Sequence, residues 1–84
     1  MASQDVTTTP TQVAGLTNGT TYTGQVRGHQ IVKMASAASA PDADSDDCFV
    51  LAPGDTPSMK QTSARNVYIW SGAEGSTLVY FEAS

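Results

Sequence analysis

Short runs in which apolar and polar residues alternate recur along this chain, each closed by a turn signal, and no long stretch carries the 3.6-residue spacing of an amphipathic helix. Thr20–Val26 (TTYTGQV) is β-branched and aromatic, reads as a strand, and is entered through the turn signal Asn18-Gly19. Arg27-Gly28-His29 separates it from Gln30–Ala35 (QIVKMA), so the simplest reading is a hairpin of two strands. Cys48–Leu51 is a short apolar run that stops at Ala52-Pro-Gly-Asp55, where Pro followed by Gly suits a type II turn. Ser58–Gln61 reads as another short strand, and Asn66–Ser71 (NVYIWS) as a longer one. Gly72–Gly75 is a turn that would lay Leu78–Phe81 antiparallel beside it. The last run, Ser76–Glu82, is apolar on both alternating faces, which requires either a central strand or an outer face set against another chain. The pattern predicts an all-β fold, a small β-sandwich or partly open barrel of about six short antiparallel strands.

Outside the strands the pattern changes. Residues 1–12, with Thr7, Thr8, Thr9, Pro10 and Thr11, offer little to bury and read as an extended N-terminal arm, leaving residues 13–84 as a single β domain. Residues 36–47 are rich in alanine but have no apolar face, contain Pro41 and carry four aspartates, so they read as a long solvated surface loop and not a helix.

Composition sharpens the picture in three ways. A chain of 84 residues has room for one hydrophobic core, and its limited apolar content makes a solitary core marginal, so association with other chains is expected. A formal net charge of -4 lacks the basic face that neutralises phosphates, which argues against nucleic acid as a partner. The first residues have neither a basic n-region nor an apolar h-region, and no apolar run is long enough to span a bilayer, so neither export nor a membrane is expected.

Candidate chemistry is sparse. Asp42, Asp44, Asp46 and Asp47 begin like a Ca²⁺ loop, but the sixth position, Gly in such a loop, is Asp47, and the twelfth, a bidentate Glu, is Pro53. The sole histidine, His29, has no G-x-S-x-G elbow to serve and sits in a turn. Cys48 is the sole cysteine, which excludes an internal disulfide, and it has no basic neighbour in the sequence to mark it as a nucleophile. Asn18-Gly19-Thr20 matches the glycosylation sequon but reads as a surface turn. No catalytic residue, cofactor or metal is expected. The aromatics gather in the last two strands, where they wall a core or mark a protein interface, and Tyr68, Trp70, Val79 and Phe81 are the candidate interface residues.

Two resemblances meet these residues. Leu16–Val26 resembles the turn and Tyr-bearing strand of fibronectin type III domains, over that segment alone. A longer one runs from Tyr22 to the C-terminus, through Gln25-Val-Arg-Gly28, Ile31-Val-Lys-Met34, the Ala/Ser/Pro loop Ala35–Pro41, Phe49-Val-Leu-Ala-Pro-Gly-Asp55, Val67-Tyr-Ile-Trp-Ser71 and Leu78-Val-Tyr-Phe-Glu82. In these segments the chain resembles the small β-rich accessory virion proteins of tailed bacteriophages, of the capsid decoration type. The resemblance implies a non-enzymatic structural protein, made in the host cytoplasm, that binds the major capsid protein on the outer surface of the head and associates with its own copies, as a trimer. The alternative is a tail-associated or receptor-facing binding module.

Overall fold

The computed structural model describes residues 2–82. Among the described residues, eight short strands, all paired antiparallel, build two four-stranded sheets. The front sheet has the order β1 (Ala2–Val6), β8 (Ser76–Glu82), β3 (Thr21–Gly28) and β6 (Ser58–Lys60). The back sheet has the order β2 (Thr11–Gln12), β7 (Asn66–Ser71), β4 (Val32–Ala37) and β5 (Phe49–Leu51). The all-β class predicted from the alternation is thus observed.

Period-two alternation decides what lies between the sheets. Val6, Tyr22, Val26, Met59, Leu78 and Tyr80 point inward from the front sheet and meet Val32, Met34, Val67 and Ile69 of the back sheet, with Val13 from the segment after β2. Both core tyrosines keep a polar partner: the Tyr80 hydroxyl donates to the Ala14 carbonyl at 2.6 Å, and the Tyr22 hydroxyl accepts from the Thr17 N–H at 3.1 Å. These bonds tie the β2–β3 connection over one end of the sandwich, so each ring fills the core while its hydroxyl reaches the rim.

Two pairings expected from the sequence are absent. β3 and β4 do not form a hairpin, and β7 and β8 are not neighbours; in each case the chain leaves one sheet and enters the other. Stacked sheets lie about 10 Å apart, a gap that three extended residues span, so the short link that suggested a hairpin suits a crossing equally well. The two crossings brace each other at one corner. The His29 N–H donates to the Gly75 carbonyl at 3.2 Å, the Gln30 N–H donates to the Ser76 hydroxyl at 3.0 Å, and that hydroxyl donates to the Gln30 carbonyl at 2.8 Å. Gly28 makes the corner at φ 114°, and a Cβ there would lie 2.1 Å from the Gly75 oxygen, so no other residue fits. The Pro-Gly turn is present as read, with Gly54 at φ 98° and the Asp55 N–H donating to the Ala52 carbonyl at 3.0 Å.

The N-terminal arm also requires correction. Residues 2–6 are extended, but as β1 they pair along β8, and Val6 is 2% exposed in the core. Thr11 and Gln12 pair with β7, the Val13 N–H donates to the Val67 carbonyl, and the Ser71 N–H donates to the Thr7 carbonyl. Main-chain ladders need no apolar side chain, so a largely polar composition concealed two strands.

Candidate functional site

The four candidate interface residues fall on opposite sides of the sandwich. Tyr68 and Trp70 project from the outer face of the back sheet, yet Trp70 is 1% exposed. They form a second apolar cluster with Ala35, flanked by Ala37 and Cys48. The loop after β4 supplies the cover: the Trp70 indole N–H donates to the Ala43 carbonyl at 2.8 Å. The acidic loop is therefore a packed flap. Its backbone satisfies the indole while the side chains of Asp42, Asp44, Asp46 and Asp47 stay exposed. Local turns hold it, with the Ser45 N–H on the Asp42 carbonyl at 3.0 Å and the Asp47 N–H on the Ser45 hydroxyl at 3.2 Å. Tyr68 and Trp70 are thereby buried within the chain.

Val79 and Phe81 lie on the outer face of the front sheet. The register places Val79 between Ser3 and Gln25, Thr77 between Asp5 and Arg27, and Phe81 beside Thr23, with Ser58 and Lys60 beyond on β6. Phe81 is 50% exposed and Val79 half-buried. The face thus carries an apolar centre, uncharged polar neighbours and single charges at its margins, which is the pattern of an interface core and rim.

Sequence reasoning missed a third feature, at the side of the sandwich where β5 and β6 are the outermost strands. Phe49 is 76% exposed and Val50 63% exposed. Phe49 and Leu51 stand on the inward side of β5, opposite Met34 and Val32, while Val50 stands on the outward side, opposite Lys33. A depression of about 210 Å³, lined by Met34, Phe49, Leu51, Pro57 and Ser58, opens there into the gap between the sheets. The other side is laced shut by the Gln4 carboxamide, which donates to the Gln12 carbonyl at 3.2 Å and accepts from the Ala14 N–H at 3.0 Å. Three consecutive apolar residues in Phe49–Leu51 were the available signal, because one buried face accounts for only alternate positions.

The remaining polar candidates lie in separate local contacts. His29 belongs to the corner described above, and the Asn18 side chain accepts from the Gln61 carboxamide at 3.0 Å, tying the turn to the chain beyond β6. Cys48 is half-buried under the flap, its thiol 3.5 Å from the Ser45 carbonyl. Among the described residues, no group of three or more His, Cys, Asp or Glu side chains is placed to hold a metal ion. Comparison with models of protein families, with curated proteins and with solved structures finds no match to this chain.

Proposed function

We propose that the chain is a non-enzymatic structural protein of a tailed-phage virion that binds the major capsid protein on the outer surface of the head and stabilises the shell. The observation that carries this reading is the outer face of the front sheet, where Phe81 and Val79 stand among Thr23, Gln25 and Thr77, with Asp5, Arg27 and Lys60 at the margins. A face of this kind binds through area and desolvation of its apolar centre, with the marginal charges setting orientation. The resemblance of Tyr22–Glu82 to small virion β-proteins points to the same class of partner. A globule measuring 30 × 25 × 16 Å is small enough to sit on a repeated lattice without bridging distant subunits.

The test is co-sedimentation with purified shells, using the parent chain and Phe81→Asp. Phe81 is exposed, so the variant keeps the fold while placing a charge at the centre of the contact. Shell binding weakened at least about tenfold, or 1.4 kcal/mol, is the expected result. Equal binding by the two proteins refutes the proposed face. Counting copies per virion by mass spectrometry separates head from tail: hundreds fit the shell, whereas about a dozen or fewer assign the chain to the tail module.

A further inference from the structure

We propose that the free edge of β5 is a self-pairing surface, on which a second copy of this chain adds its own β5 antiparallel about a two-fold axis at Val50. The two back sheets then join into one continuous sheet. This holds whether or not the shell reading is right, because it rests on the edge strand alone.

β5 has a single neighbour, β4, among the described residues, so its other edge presents unpaired main-chain groups. Edge strands are ordinarily protected by charge, proline or brevity. β5 is short, but none of Phe49, Val50 and Leu51 is charged, and two of the three are more than 60% exposed. The free edges elsewhere are of a different kind: β1 carries Ser3, Gln4 and Asp5, β6 carries Ser58 and Lys60, and β2 has only two residues. Joining β5 to any of them sets apolar side chains against polar ones. Joining it to itself does not. With Val50 on the axis, Phe49 lies across from the partner subunit's Leu51 on the inward face, and the two Val50 side chains meet on the outward face. Phe49 of each copy is then placed beside the depression under Leu51 and Pro57 of the other.

Charge selects the direction. Asp46 and Asp47 precede β5 with only Cys48 between, and parallel pairing in register would set like charges side by side about 5 Å apart. Antiparallel pairing at Val50 places Asp47 across from the partner subunit's Pro53, six residues and so about 20 Å from the matching Asp47, beyond the Debye length of about 8 Å. The trimer expected from the sequence requires a contact between unlike edges, whereas this surface is complementary to itself. A strand of three residues gives an interface of the small, weak class, so dimerisation is expected only at high concentration or where copies are crowded together.

The test is thiol cross-linking in a Cys48→Ser background, which removes the native thiol. Val50→Cys puts one thiol from each copy on the axis, and Thr8→Cys, exposed at the far edge of the sandwich, serves as control. At about 100 µM under mild oxidation, the Val50→Cys protein is expected to form a disulfide-linked dimer about tenfold faster than the control. Adding Phe49→Asp should bring that rate down to the control. Phe49 is exposed, so circular dichroism should show the fold retained; if it does not, Val50→Lys in the parent chain is read instead by sedimentation equilibrium, which should show loss of a concentration-dependent dimer. Cross-linking at the control rate overturns the proposal, as does self-association into a trimer that is indifferent to Phe49→Asp and Val50→Lys.

Discussion

Replacing Trp70 by Ala tests whether the acidic flap is part of the packed structure. The indole lies outside the core between the sheets, yet the flap leaves it 1% exposed and accepts its N–H through the Ala43 carbonyl. A buried indole removes on the order of 200 Å² from water, about 5 kcal/mol at 25 cal/mol per Å². The hydrogen bond adds about 1 kcal/mol. Two effects oppose these. The flap is a surface segment, so after truncation it lifts, admits water to the Ala43 carbonyl and leaves no sealed cavity. It also regains conformational entropy. The cost therefore falls at the low end of the range for Trp→Ala, about 3 kcal/mol. An unfolding entropy of about 2.1 cal/mol/K for each of 84 residues is about 0.18 kcal/mol/K, so Tm should fall by about 17 °C. Trp70→Phe keeps an aromatic ring and loses the donor, and should lower Tm by about a third as much. Calorimetric melts of the three proteins give both numbers, and hydrogen exchange should show the Ser45 and Asp47 amides losing protection in Trp70→Ala. A Trp70→Ala protein that melts within about 4 °C of the parent, with those amides still protected, refutes the flap's role.

Asp44→Ala and Asp46→Ala, whose side chains are exposed while the flap is held by backbone groups, should change stability by no more than about 0.5 kcal/mol, and thermal melts should show no response to calcium. Gly28→Ala should cost more than about 3 kcal/mol by urea denaturation, since the new Cβ would lie 2.1 Å from the Gly75 oxygen and 2.8 Å from Ser76 Cα at a positive φ; a loss near 1 kcal/mol, about that of an ordinary Gly→Ala strain, would contradict the corner. Burial, reinforced by the neighbouring Tyr22, raises the Tyr80 phenol above its ordinary 10.0. The folded chain thus keeps this proton after the unfolded chain has released it, so this group's contribution is level below about pH 10 and falls as pH climbs from there through the folded pKa. Tyr80→Phe should lose about 1 kcal/mol with the bond to Ala14 and flatten that alkaline decline, and urea titrations with equal slopes for the two proteins would count against it.

Much of the strand content was legible because alternation is a local property. Asn66–Ser71 and Ser76–Glu82 have the bounds that their pattern implied, and the Pro53-Gly54 turn follows from residues that favour its dihedral angles. β8 was read as either central or covered, and it is central, between β1 and β3. What the sequence left open is which strand meets which. Of the seven connections among the described residues, only that from β4 to β5 stays within one sheet, and a link of three or four residues serves a hairpin and a crossing equally well. The choice is made by distant groups such as Ser76 on Gln30 and β1 paired beside β8, which no local window contains. The candidate interface divided for the same reason. Tyr68, Trp70, Val79 and Phe81 alternate in the same way along their strands, but the flap from β4 covers the first two, while β1 and β3 lie beside β8 and leave its outward face open around the others. Alternation determines that a side chain leaves one face of a sheet; only the tertiary structure decides whether that face meets the opposite sheet, a loop of the same chain, or nothing, because that depends on pairing between segments far apart in sequence.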